Sequence, residues 1–275
     1  MKFNTKCVHG SGRPDSTGAI SPAIYMSSTF SHPKLGDTTG YQYTRESNPT
    51  RDRLEQLIAG LEDGKDALAF SSGMAAVDAV FHLFSPGDHI ILGDDLYGGS
   101  IRMFTNIYEQ NGIEFTYVGT SDLDAVKAAF KPNTKAVYIE TPTNPMMEIT
   151  DIRALCALAH ERNALVIIDN TFLSPYFQKP LTLGADIVVH SGTKFIGGHH
   201  DVISGFTIVK DDELAAKLRL TYKTVGACLS AMDSWLVIRG VKTLALRMEQ
   251  HQKNAIALAE WLKKQPKVTK VLSPG

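Results

Sequence analysis

The feature that most constrains the fold is a pair of short apolar runs, each followed by polar residues. Residues 165–168 read Leu-Val-Ile-Ile, and residues 187–189 read Ile-Val-Val. Runs of this length and β-branched content predict buried strands. Ligands of open α/β sheets bind beyond the carboxyl ends of the strands, so the polar residues after both runs are expected to line a binding site. These residues are Asp169, Ser191, Thr193 and Lys194.

Two of these residues indicate a specific cofactor when they occur together. Lys194 has a primary amine that can bind an aldehyde covalently, and Asp169 has a carboxylate that can pair with a protonated ring nitrogen. Pyridoxal phosphate (PLP) needs both partners. The hydroxyl groups of Ser191 and Thr193 can donate hydrogen bonds to its phosphate. A lysine at the end of a strand is usually a solvated surface charge, so the prediction depends on the combination.

Several phrases of the sequence resemble the cysteine and methionine metabolism family of PLP enzymes. They are Asp169-Asn-Thr-Phe-Leu-Ser-Pro, Pro180-Leu-x-Leu-Gly-Ala-Asp-Ile-Val, His190-Ser-Gly-Thr-Lys194 and Gly198-His-His-Asp-Val. The family includes cystathionine γ-synthase, the cystathionine lyases and methionine γ-lyase. The resemblance covers nearly the whole chain. It implies an α/β fold of the fold-type-I transferase kind, with a mostly parallel, seven-stranded sheet between helices.

The turn at residues 71–74 is the expected phosphate site. A strand is predicted before it and a helix over residues 75–84, so backbone N–H groups of the turn can face an anion. Such a turn is usually an ordinary connector, but the matching residues of the family bind the cofactor phosphate. The resemblance therefore implies this role for Ser72, Gly73 and Met74.

Tyr97 lies at a predicted strand-to-helix junction and resembles a family tyrosine that stacks on the cofactor ring and takes part in proton transfer. Methionine γ-lyases have a cysteine two residues later, where this chain has Gly99, which argues against that member. The resemblance implies further contacts of Asn144, Glu140 and Thr171 with the cofactor, and we expect Arg102 to face the substrate.

Residues 1–49 are predicted to form an arm without helix, because the stretch is rich in Ser, Thr, Gly and Pro. The resemblance implies that Tyr43 and Arg45 reach into a neighbouring subunit and hold the cofactor phosphate there. The planar guanidinium of Arg45 suits that anion. Shared sites imply a homodimer or homotetramer. Glu46 departs from the uncharged or basic residue usual in the family and puts the substrate preference in doubt.

Residues 50–232 are predicted to form the PLP-binding large domain, and residues 233–275 a connecting helix and the start of a smaller domain. A helix is expected over residues 233–265, and a strand over residues 267–272. Because a domain does not finish on one unpaired strand, we expect the chain to stop before the smaller domain. In the family, that domain has the arginine that binds the substrate carboxylate.

Composition argues against several other classes of protein. The formal net charge is -1, which gives no reason to expect a nucleic-acid or membrane partner. The 3 cysteines are scattered and odd in number, which predicts free thiols and a reducing cytoplasm. A His199-His200-Asp201 cluster is not expected to bind metal, because its residues are adjacent and the family uses none. At position 200 this chain has a histidine, whereas the family usually has Ser or Gly.

The predicted activity is that of a PLP-dependent carbon–sulfur lyase that cleaves cystathionine, a small sulfur amino acid, by β- or γ-elimination. Cystathionine γ-synthase is the alternative within the family, because both reactions use the same motifs. A fold-type-I aminotransferase would share Lys194 and Asp169, but Tyr43, Arg45 and the Asp169-Asn-Thr-Phe phrase favour the sulfur family. A catalytically impaired PLP-binding fragment is a further alternative, since the expected carboxylate-binding arginine lies beyond this chain.

Overall fold

The computed structural model describes residues 1–10, 12 and 16–274. Within these residues the centre of the fold is a 7-stranded sheet in the order β1-β7-β6-β5-β4-β2-β3. The strands are β1 (Asp66–Phe70), β2 (His89–Gly93), β3 (Glu114–Val118), β4 (Thr134–Glu140), β5 (Leu165–Asp169), β6 (Ile187–Ser191) and β7 (Gly205–Val209). β7 pairs antiparallel with both of its neighbours, and the other pairs are parallel. The predicted mostly parallel sheet is confirmed.

Helices cover both faces of the sheet. They are α1 (Phe3–His9), α2 (Pro49–Leu61), α3 (Gly73–Phe81), α4 (Gly98–Met103), α5 (Leu123–Ala129), α6 (Ile152–His160), α7 (Ser174–Phe177), α8 (Pro180–Leu183), α9 (Asp212–Val225), α10 (Ala231–Val241) and α11 (Leu244–Leu262), with a π-helical continuation of α4 at Phe104–Tyr108. Alternate residues of β4 point to opposite faces. Tyr138 therefore packs in one apolar cluster, whereas Val137 and Ile139 pack in another. Burial on both faces explains why the strands read as continuous apolar runs.

The expectation of an arm without helix is wrong at its start. α1 packs against α2 and α11, and the side chain of Cys7 is 2% exposed. Lys6 fixes the helix further, because its Nζ donates to the carbonyl oxygen of Gly60 at 2.8 Å and pairs with Asp63 at 2.6 Å. The described residues from 16 to 48 contain no helix. Seven residues were too few for a detectable helical period.

The single helix expected over residues 233–265 is two helices, α10 and α11, separated at residues 242–243. Gly240 lies within α10, so the irregularity predicted there falls slightly later. The strand predicted over residues 267–272 is wrong: those residues pair with no other strand, and an isolated extended segment gains no ladder hydrogen bonds. Among the described helices, none has both the length and the apolar composition needed to cross a membrane.

Candidate active site

A cavity of about 1100 Å³ opens where β4, β5 and β6 end. Parallel neighbours end at the same edge of a sheet, so the polar residues after these strands converge there. The cavity brings together most of the predicted site residues: Ser72, Gly73, Met74, Tyr97, Glu140, Asn144, Asp169, Thr171, Ser191, Thr193 and Lys194.

Lys194 lies in the loop between β6 and β7, and its side chain is exposed to the cavity. No described residue forms an ion pair or a hydrogen bond with its Nζ. Its neighbour Thr193 is fixed, because the Thr193 hydroxyl donates to the carbonyl oxygen of Ser204 at 3.2 Å and accepts from the Ser204 N–H at 3.1 Å. A role of Thr193 as phosphate donor would require that first bond to break.

Asp169 is held by donors on one side of the cavity. Its Oδ1 accepts from the N–H and the hydroxyl of Thr171, at 3.0 and 2.6 Å, and the Tyr138 hydroxyl lies 3.4 Å from Oδ2. Burial nevertheless raises the pKa of Asp169. No cation of the described residues is within ion-pair distance of this carboxyl group. The site therefore favours a cationic partner from outside the chain, such as a protonated ring nitrogen.

Thr171 connects the two strands at this point, since its hydroxyl also accepts from the N–H of Ser191 at 2.8 Å. Thr171 therefore contacts the Asp169 carboxylate, and its hydroxyl proton is already in use.

Glu140 is the cross-strand partner of Asp169 in the register between β4 and β5. Its side chain is buried, and burial together with the charge of Asp169 raises the pKa of Glu140 to about 8. The Tyr97 N–H acts in the opposite direction by hydrogen-bonding the carboxylate. Glu140 therefore holds its proton to a higher pH than an ordinary carboxyl group, which limits the negative charge beside Asp169.

The first turn of α3 forms another wall of the cavity. The Ser72 hydroxyl caps the helix by accepting from the Ala75 N–H at 3.0 Å. A Cβ atom at Gly73 would lie 2.8 Å from the Cβ of Ser191, so only glycine permits this approach of α3 to β6. Unpaired N–H groups at the start of a helix can bind anions, so this wall suits an anionic group such as a phosphate.

The ring of Tyr97 stands at the start of α4 and is 58% exposed. A Cβ atom at Gly99 would overlap this ring. A larger residue at position 99 would therefore require the ring to move from this position.

Tyr43, Arg45 and Arg102 do not line the cavity of their own chain. Residues 44–46 form a turn rather than a strand, the Arg45 guanidinium lies 5.4 Å from the centre of the Tyr43 ring, and it donates to the carbonyl oxygen of Lys223. The expectation that Arg102 faces the substrate stays a prediction. Two helical positions of α4, Gly98 and Ser100, line the cavity, and Arg102 is rotated about 200° beyond Ser100 onto the exposed face.

Two residues that line the cavity were not predicted from the sequence. They are Arg247 and His251 of α11. Arg247 is distant from Lys194 in sequence and lies in a segment assigned to the next domain. The only signal was a charged residue within the apolar pattern that starts α11. His200 and Asp201 also line the cavity. The described residues contain no group of 3 or more side chains placed to hold a metal ion.

Comparisons with known proteins agree with this geometry. The family model described as Cys/Met metabolism PLP-dependent enzyme matches residues 4–275. A cystathionine gamma-lyase of Bacillus subtilis (strain 168) is 49% identical over 276 residues, which are 100% of this chain and 73% of that protein. A cystathionine beta-lyase of Lactococcus lactis subsp. cremoris (strain MG1363) is 50% identical over 274 residues, 99% of this chain and 72% of that protein. Cystathionine gamma-synthases are also among the relatives.

Solved structures give the same result. The crystal structure of cystathionine gamma-lyase from Lactobacillus plantarum complexed with L-serine matches with a TM-score of 0.98 and 51% identity. The match covers 100% of this chain and 72% of that one. The chain thus spans somewhat under three quarters of the length of these relatives.

Proposed function

Because this chain belongs to the Cys/Met metabolism family of PLP-dependent enzymes, we propose that it cleaves the carbon–sulfur bond of cystathionine. The observation that best supports the proposal is the cavity in which the free amine of Lys194 and the unpaired carboxyl group of Asp169 meet. We expect the protein to act in the cytoplasm, because its 3 cysteines are scattered and odd in number, which is typical of free thiols in a reducing compartment.

The residues of the cavity fit PLP. Asp169 lacks a cation, the amine of Lys194 lacks a partner among the described residues, and the start of α3 approaches β6 too closely for any side chain at Gly73. In this assignment Lys194 attaches the cofactor, Asp169 pairs with its ring nitrogen and the turn from Ser72 to Met74 holds its phosphate. Asn144 and Tyr97, which also line the cavity, would contact its ring. When bound, PLP withdraws electrons from the α-carbon of an amino-acid substrate.

The protein's own residues then divide the remaining work. Asp169 supplies the negative charge that keeps the ring nitrogen protonated, and protonated Glu140 avoids a second charge beside it. The Nζ of Lys194 removes and returns protons at the substrate carbons, because it is the one amine that lines the cavity among the described lysines. The hydroxyl of Tyr97 is a second group able to move a proton to the leaving sulfur.

The products test the proposal directly. Purified protein is incubated with PLP and cystathionine, and pyruvate, 2-oxobutyrate and thiols are measured. β-Elimination releases homocysteine and pyruvate, whereas γ-elimination releases cysteine and 2-oxobutyrate, each with ammonia. Lys194→Ala should abolish either reaction. Absence of both oxoacids from the unmodified protein would reject the lyase assignment.

The second candidate is cystathionine γ-synthase, which is supported by the synthases among the relatives. A γ-synthase replaces the acyloxy group of an O-acylhomoserine with the sulfur of a thiol and releases the carboxylic acid. The same protein is therefore given O-acetylhomoserine and cysteine. Cystathionine as the main product, with little 2-oxobutyrate from cystathionine itself, would favour this candidate.

We also propose that the working unit is at least a dimer with shared sites. Tyr43 and Arg45 lie outside the cavity of their own chain, which leaves them available to a neighbour. The mass of the protein in solution would distinguish a dimer from a tetramer.

A further inference from the structure

The loop that contains Lys194 is held from both sides. On the amino-terminal side, Thr193 exchanges hydrogen bonds with Ser204, as described above. On the carboxyl-terminal side, the loop is contacted by the junction of α10 and α11. The side chain of Lys194 itself has no such partner among the described residues, so its position depends on these backbone contacts.

Arg247 makes the contacts on the second side. Its Nη1 donates to the carbonyl oxygen of Phe195 at 2.6 Å, and its Nη2 donates to that of Gly240 at 3.0 Å. Its Nε donates to the Thr243 hydroxyl at 3.0 Å. Each of the three guanidinium nitrogens therefore has its own acceptor, an arrangement that the single amine of a lysine cannot reproduce.

The charge of Arg247 is not paired with a carboxylate in the part of the chain that the structure describes. Burial lowers its pKa, and no carboxylate of the described residues is within ion-pair distance. Its side chain is partly buried, and a partly desolvated charge without a carboxylate partner costs free energy, so an ion pair does not explain the residue. Its carbonyl partners are instead the peptide next to Lys194 and the end of α10.

Close backbone contacts reinforce this connection. A Cβ atom at Gly240 would overlap the carbonyl oxygen of Gly197, and one at Gly198 would overlap the Arg247 guanidinium. The backbone of the loop therefore approaches Gly240 and Arg247 so closely that a side chain at position 240 or 198 would push the two segments apart.

We propose that Gly240 and Arg247 form a clamp that fixes the loop after Lys194 and thereby positions the amine for attachment of the cofactor. Arg247 and Gly240 are positioning residues that act through the backbone of residues 195–197. The inference rests on the proposed role of Lys194. It makes α11, outside the predicted cofactor domain, a determinant of cofactor binding.

Gly240→Ala tests the clamp with Arg247 intact. Alanine favours a helix over glycine, so any loss of cofactor binding comes from the contact with Gly197. We expect PLP to bind on the order of tenfold more weakly, the factor that corresponds to one hydrogen bond. The dissociation constant is measured from the visible absorbance of the lysine-bound cofactor. Gly60→Ala is the control, because a Cβ there meets nothing within 4 Å. Equal PLP affinity of the two variants would overturn the proposal.

Arg247→Ala tests the other half. PLP binding should again weaken, and added guanidinium, below the concentration that unfolds the protein, should restore part of it. Arg247→Lys should not restore PLP binding, because the lysine amine cannot reach all three acceptors. Arg219→Ala is the matched control: Arg219 bonds Asp66, far from the cavity, so it should lower the Tm without changing PLP affinity. A loss of Tm with unchanged PLP affinity in Arg247→Ala would reduce Arg247 to a structural role and contradict the clamp.

The attachment site of the cofactor and the clamp can be tested separately. Borohydride reduction of the unmodified protein with PLP, followed by peptide mapping, identifies the attached lysine. Attachment elsewhere than Lys194 would reject the proposed site. Attachment at Lys194 with unaltered PLP affinity in Gly240→Ala and Arg247→Ala would leave the site standing and reject the clamp.

Discussion

At the scale of single residues, the site depends as much on missing side chains as on present ones. Lys194 and Asp169 could be placed in the cavity because their chemistry and sequence settings are distinctive, and Tyr97 because it resembles a tyrosine of the family. The close contact of the Tyr97 ring with Gly99 was not predictable, because it depends on where α4 starts relative to the ring. Arg247 was missed for a similar reason, since its partners are main-chain carbonyls that leave no mark in the sequence.

Gly99→Ala should displace the ring of Tyr97 while leaving the fold intact. Because a misplaced catalytic group costs on the order of a hundredfold in rate, kcat for cleavage should fall by about that factor. Lysine-bound cofactor should still form, which is checked by its absorbance. Unchanged kcat would show that the Tyr97 ring does not need this position.

Glu140 should make the stability of the cofactor-free protein depend on pH. Its pKa in the folded state, about 8, lies above the ordinary carboxyl value of 4.5. The folded state therefore binds the proton more tightly, and the resulting stability is present at pH 4 and is lost as the pH rises to 8. The slope approaches about 1.4 kcal/mol per pH unit at most.

Glu140→Gln removes this ionisation, so its free energy of unfolding relative to wild type should rise between pH 5 and pH 8. Urea unfolding at both pH values provides the measurement, and Glu161→Gln at an exposed position is the control. A parallel pH dependence in wild type and Glu140→Gln would contradict the assignment.

At the scale of elements, the sequence predicted strands better than helix ends. β5 was predicted over its full length, because buried parallel strands are apolar on both faces. α3 starts two residues before its prediction, since Ser72 caps it and the small residues of the turn already belong to the helix. α1 escaped detection because only Cys7 of its residues is buried.

The packing of α3 on β6 yields the element-scale prediction. Gly73→Ala would push the first turn of α3 away from Ser191 and move its N–H groups relative to the cofactor phosphate. PLP affinity should fall by about tenfold, the value of one lost charge-assisted hydrogen bond. Equilibrium dialysis against PLP measures this, with Gly60→Ala as the control. Retained affinity would argue that the phosphate lies elsewhere.

At the scale of the whole molecule, a single chain holds most of the expected contacts but not those of Tyr43 and Arg45. Subunit mixing tests whether a neighbour supplies them. Arg45→Ala chains and Lys194→Ala chains, each poor in attached cofactor, are unfolded together and refolded. Roughly a quarter of wild-type sites should return, because half of random dimers are mixed and one of their two sites is intact.

The readout is borohydride-trapped PLP per chain. Refolding each variant alone gives the baseline, and mixing it with wild-type chains controls for refolding yield. Trapped PLP no higher than the mean of the separate variants would refute shared sites.

The reversed direction of β7 has a consequence for how the site is made during folding. β6 and β7 are neighbours in sequence and in the sheet, whereas β1 pairs with β7 from the far end of the domain. Contacts between nearby segments close quickly, and pairings between distant segments are slow. The loop with Lys194 therefore belongs to a hairpin that can form before the sheet is complete. Pulse-labelled hydrogen exchange should show amides of β6 and β7 protected ahead of those of β1, and simultaneous protection would contradict this order.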